Sequence, residues 1–101
     1  MKYKNIITND MNHCIECGHY IVEIHHVFYG SKRKKSTEDG LVIPLCVEHH
    51  RGTYGVHGRE GHQLDLKYKK LAEEKWLEFY NKDIDEFIER YGKNFIWDLK
   101  Y

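Results

Sequence analysis

A small α+β fold is what the sequence predicts, and three observations carry the prediction. Two short apolar runs, "HYIVEIHHVF" and "GLVIPLC", read as strands, and an apolar spacing of three and four residues from Leu64 to Tyr80 reads as a helix. Cysteines and histidines crowd the first half at metal-ligand spacings. At 101 residues the chain is expected to be one domain, 1–101, with a modest core that a bound metal would help to staple. Its chemistry falls in the Gly-, Cys- and His-rich part, about 14–58. The part from about 64 to 101, rich in Lys, Glu, Leu and aromatics, reads as helical scaffold packed on it.

The first run, with Tyr20, Ile21, Val22, Ile24, Val27 and Phe28, is β-branched or aromatic and predicts a strand. "GSKRKKSTEDG", polar and bounded by glycines, reads as a loop. Pro44 in the second run argues for an edge or a strand end, because proline cannot donate to a ladder. Leu64, Tyr68, Leu71, Ala72, Trp76, Phe79 and Tyr80 predict an amphipathic helix that buries this stripe. Asp83 and Glu86 have the spacing of a capping box, and Ile84, Phe87, Ile88 and Tyr91 continue a helix as far as Gly92. "NFIWDLKY" is apolar enough to dock back on the body.

Lys plus Arg and Asp plus Glu are both 16, so no net field draws the molecule to DNA or to a membrane, and an anionic partner has to be met by a local patch. "MKYKNIITND" lacks the apolar stretch of a signal peptide or a membrane span. With three cysteines, which cannot all pair, this leads to the expectation of a reducing, cytoplasmic setting and no membrane partner.

Cys14-Ile15-Glu16-Cys17 followed by Gly18 has the shape of a zinc knuckle, and Cys46-Val47-Glu48-His49 can supply the other half. Together they form a Cys3His set with no position left for water, which is how structural zinc sites are built. His13 or His19 could replace a cysteine in it. On a helix, neighbouring side chains diverge by about 100°, so if His49 closes that set, His50 points elsewhere. Beside a strand carrying His25 and His26, it suggests a second site with different work.

This order, C-x-x-C, then a histidine pair ending a strand, then an apolar run into C-x-x-[CH]-H, resembles the zinc-bound HNH endonucleases of the His-Me finger (ββα-metal) superfamily. "HHVFYG", "VIPLCVEHHRG" and "VHG" are particularly similar to small phage-type HNH proteins. The resemblance covers about Cys14 to Gly58. It implies a zinc-stapled β-hairpin and helix clasping one catalytic divalent ion, a phage or prophage origin, and DNA as substrate. Carried over, His25 takes the place of a metal ligand, His26 that of the general base and His50 that of the helix-borne ligand, while His57 in "GVHG" completes the metal shell or holds a phosphate. The roles of His25 and His26 could be exchanged. The family's asparagine is replaced by Leu41, so Asp39 or a backbone carbonyl has to orient the base.

These residues suit cleavage of a phosphodiester. A histidine near its ordinary pKa of about 6.5 is neutral yet basic at pH 7, and a divalent ion (Mg2+, Mn2+, Ni2+ or Zn2+) neutralises charge at phosphorus. Lys32, Arg33, Lys34 and Lys35, the one dense positive run, would hold the phosphate backbone, with Arg51 and Arg59 nearer the ion. No base-reading helix is evident, so specificity is expected to be weak or supplied by a protein partner. The reading is therefore a DNA endonuclease or nickase with a structural zinc. Its competitor is a non-catalytic zinc module for nucleic acid or protein. A C-x-x-C redox protein fits less well, since the βαβ surroundings are absent.

Overall fold

The computed structural model describes residues 3–96. Its elements run β1 (Glu23–His26), a single 3-10 turn (Gly30–Lys32), α1 (Arg33–Asp39), β2 (Val42–Leu45), α2 (Val47–Arg51), α3 (His62–Tyr80) and α4 (Ile84–Tyr91). The α+β expectation holds: one antiparallel two-stranded sheet is surrounded by helices. A single core cluster takes in Cys14, Val27, Leu41 and Ile43 from the first half and Tyr68, Trp76, Phe87 and Tyr91 from the second. Among the described residues, no helix is long and apolar enough to cross a membrane.

The register pairs Glu23 with Leu45, Ile24 with Pro44, His25 with Ile43 and His26 with Val42. Pro44 sits at a position whose polar groups face away from β1, where its carbonyl accepts the Ile15 N–H at 2.9 Å. Its missing N–H is therefore not needed by the ladder. The strand is shorter than the apolar run that predicts it. Tyr20 is 73% exposed and Ile21 55%, because β2 ends at Leu45, the partner of Glu23, and the described part of the strand pairing stops there.

The expected loop "GSKRKKSTEDG" is instead mostly helix, the 3-10 turn followed by α1. Apolar periodicity could not reveal it, since α1 buries a polar face, Ser36 and Asp39. Ser36 Oγ donates to the Leu41 carbonyl at 2.6 Å and accepts the Phe28 N–H at 3.2 Å. Gly40 ends the helix in the left-handed conformation, at φ 81°.

α3 buries Tyr68, Ala72 and Trp76 as expected but leaves Phe79 59% exposed. It also buries Glu73 completely, and Glu73 Oε1 accepts the N–H groups of Phe95 at 2.6 Å and Ile96 at 3.2 Å. That carboxylate is what docks the start of "NFIWDLKY"; residues 97–101 lie outside the described residues. α4 opens on the expected capping box, Asp83 with Glu86, and stops at Gly92. Asp39 ties the helices together. It accepts Trp76 Nε1 at 2.8 Å, Tyr91 Oη at 2.6 Å and the Arg90 guanidinium at 2.6 and 2.8 Å.

Candidate metal centres

The turn Cys14–Cys17 and the start of α2 bring four ligands together. Cys14, Cys17, Cys46 and His49 place their sulfur and nitrogen atoms within 4.8 Å of one another, a group that can hold a metal ion such as zinc. Cys17 and Cys46 sulfurs lie 3.8 Å apart, about the separation of two sulfurs bonded tetrahedrally to one ion at ~2.3 Å. His49 turns Nδ1 inward, 3.2 Å from Cys46 and 3.7 Å from Cys14. Burial opposes ionisation of Cys14, but the N–H groups of Cys46, Cys17 and Glu16 outweigh it and bring the thiol down to about 6, so it is mostly thiolate, the ligating form, at pH 7. The turn is fastened to α3 through Glu16, which accepts from Tyr68 Oη and, at 3.0 Å, from Lys67 Nζ. His13 and His19 take no part. His13 pairs with Asp10 at 3.0 Å, and His19 accepts the Ile21 N–H at 3.1 Å.

The second group is His25 from β1, His50 from α2 and His57 from the loop beyond it, again with ligand atoms within 4.8 Å. Their ring centroids are 4.9–5.2 Å apart. The loop delivers His57 by coiling back over α2: the His57 N–H bonds the His50 carbonyl at 3.0 Å and the Val56 N–H bonds that of His49 at 2.8 Å. Glycine permits this closeness. A Cβ on Gly58 would stand 1.9 Å from the Gly52 carbonyl oxygen.

These rings line a cavity of about 200 Å³ shared with Ile24, His26, Tyr29 and Arg33. Burial first, then the neighbouring histidines, hold His25 down to about 3. Burial likewise lowers His26, helped by Arg33, and His57, helped by His50. These three are neutral at pH 7 and free to offer lone pairs. His25 Nε2 is buried with no hydrogen-bond partner among the described residues. A buried nitrogen left unpaired is costly, and a cation among the three rings would satisfy it, so the residues fit a divalent ion.

Sequence reasoning missed Glu23. Its Oε1 lies 2.7 Å from His50 Nδ1, and Arg51 grips the same carboxylate at 3.0 and 2.6 Å. Arg51, then His50, hold the Glu23 carboxyl down at about 2. With Nδ1 taken, His50 presents Nε2 to its neighbours, the arrangement by which an outer carboxylate orients a metal-binding histidine. The signal was available: in a strand, residues 23 and 25 share a face.

His26 lies on the cavity wall, with Arg33 Nε 3.4 Å from its Nδ1. The expectation that Asp39 orients it fails, because that carboxylate is committed to Trp76, Arg90 and Tyr91. Leu41 is wholly buried core. The basic run divides. Arg33 and Lys34 face open cavities, whereas Lys35 donates to the Arg90 carbonyl at 3.0 Å and fastens α4, and the Lys32 side chain runs close to Gly92. Arg51 is neutralised by Glu23. The Arg59 side chain is 85% exposed and, among the described residues, pairs with Glu60 at 3.7 Å. No family model, curated protein or solved structure matches this chain.

Proposed function

We propose that this protein is a metal-dependent endonuclease or nickase of DNA with a separate structural zinc on Cys14, Cys17, Cys46 and His49, in keeping with its resemblance to the HNH proteins. One observation carries the reading: beside a complete Cys3His set, three further histidines converge on one small cavity with a fourth, His26, on its wall. A protein that needs metal only to fold has little use for the second group. His25, His50 and His57 would hold the divalent ion, which when bound supplies Lewis-acid stabilisation of the phosphate and of its leaving oxygen.

His26 is the base. Neutral, with Arg33 donating to Nδ1, it carries its own proton on Nε2. A phosphate oxygen entering the cavity competes for the Arg33 N–H, since guanidinium pairs better with an anion than with imidazole. Nδ1 is then free to take the proton of the attacking water as its oxygen bonds to phosphorus and the leaving oxygen departs. Arg33 and Lys34 hold the strand, a local answer to zero net charge.

Two observations favour the alternative of a non-catalytic zinc module: Leu41 stands where the family has its orienting asparagine, and Arg33 occupies His26 Nδ1. Nicking of supercoiled plasmid with and without Mg2+, Mn2+, Ni2+ or Zn2+ decides between them. His26→Ala should lower the rate about a hundredfold to ten-thousandfold at unchanged zinc content and circular dichroism. His50→Ala should be partly restored by added divalent ion. Wild-type nicking by His26→Ala, or no nicking by the native chain under any ion, would leave the zinc module standing.

A further inference from the structure

Beside the histidine cavity lies a larger, more open one of about 440 Å³, lined by Tyr3, His26, Ser31, Arg33, Lys34 and Thr37. His26 and Arg33 belong to both walls, so groups seated in the two cavities are neighbours. The chemistry of the larger one is that of an anion site, with two cations and, among the described residues, no carboxylate on its lining. Several other cations are spent: Arg51 on Glu23, Lys69 on Asp65, Lys67 on Glu16, Lys35 on a carbonyl. Lys34 and Ser31 are exposed, and among the described residues no hydrogen bond or ion pair engages their side chains. Thr37 is already used, its Oγ1 donating to the Arg33 carbonyl at 3.0 Å. Tyr3 stands perpendicular to the His26 ring, 5.5 Å away, and adds aromatic surface.

We propose that this cavity is a nucleotide subsite. It holds the phosphate next along the strand from the one at the histidines, on Arg33, Lys34 and Ser31, with the base of that nucleotide against Tyr3. A base can reach Tyr3 only by leaving its stack, so the preferred strand is single-stranded or frayed DNA. This inference rests on the phosphodiester reading of the histidine cavity.

The test uses the full chain loaded with zinc and no other divalent ion, and measures fluorescence anisotropy of short oligonucleotides. Wild type should bind a single strand more tightly than its abasic counterpart or its duplex. Tyr3→Ala should erase the preference over the abasic strand, with a loss on the order of tenfold to a hundredfold, and Tyr3→Phe should keep it. Lys34→Ala should weaken both strands alike and lower the salt slope by about one. Should Tyr3→Ala fold poorly by zinc content and circular dichroism, Ser31→Asp replaces it and should repel both strands. Equal affinity for base-bearing and abasic strands in wild type, or unaltered binding by Tyr3→Ala or Ser31→Asp, overturns the subsite. Hydrolysis of bis(p-nitrophenyl) phosphate by wild type tests the histidine cavity separately, since that small diester has no neighbouring nucleotide. If it fails while the oligonucleotide results hold, the hydrolase reading falls and the subsite stands.

Discussion

A histidine that ligates through one nitrogen is aimed by what holds the other, and for His50 that is Glu23, itself fixed by Arg51. Glu23→Gln keeps the shape but removes the charge and the bidentate hold on Arg51. Divalent-ion affinity should fall about tenfold to a hundredfold, read by calorimetry, with the Cys3His metal retained; full affinity would reduce Glu23 to a surface ion pair. Among the histidines of the cavity the largest pH dependence belongs to His25, with His26 and His57 lowered in the same direction. The folded pKa of His25, about 3, lies below the unfolded value of about 6.5, so above pH 6.5 it is neutral in both states and contributes no pH dependence. Between about 6.5 and 3 the unfolded chain takes up a proton that the folded chain refuses, so stability falls as pH falls. Thermal melts of metal-free protein from pH 7 to 4 should show this decline, and His25→Leu should make it shallower; parallel curves would remove His25 as a source. At this scale the sequence was most legible, because Cys-x-x-Cys, Cys-x-x-His and adjacent histidines are short-range patterns. Glu23 and the Arg33 bond to His26 escaped it because they depend on where a strand meets a helix.

Between elements, the coupling that matters is the loop folded over α2, which adds His57 to ligands from β1 and α2. Gly58→Ala would press a methyl against the Gly52 carbonyl, so the loop must move and His57 with it. Misplacement by about 1 Å costs on the order of a hundredfold in rate. Plasmid nicking should fall by about that factor while Cys14, Cys17, Cys46 and His49, which the loop does not supply, keep their metal; an unchanged rate would mean that His57 is dispensable. Sequence patterns found α3 and α4 because their buried faces are largely apolar and the capping box is local. They missed α1 because its buried face is Ser36 and Asp39, residues whose burial is made tolerable by hydrogen bonds to other elements. They overextended β1 because strand length is set by the partner.

For the molecule as a whole, the second half holds the first in place through Asp39, at the C-terminal end of α1. Three side chains from α3 and α4, separated from it by 37 to 52 residues, converge on this one carboxylate. No sequence pattern announces such a hub, since it exists only once the helices are packed. Asp39→Ala would leave the Trp76 and Tyr91 donors without this acceptor and Arg90 without its buried partner. Breaking a buried pair costs about 3–5 kcal/mol. Arg90 keeps about a third of its side-chain surface in water, which favours the lower figure, ~3 kcal/mol. Against a total stability of about 5–15 kcal/mol for a domain, that is a large fraction, and Tm should drop by more than about 10 °C. The Cys3His ligands make no contact with Asp39, so zinc per chain should stay constant below the lowered Tm. α1 also carries Arg33 and Lys34, so loosening its far end should weaken DNA binding before the zinc is lost. A calorimetric scan beside metal analysis and an oligonucleotide titration checks all three, and a Tm within a degree or two of wild type would show that the helices hold α1 without this carboxylate.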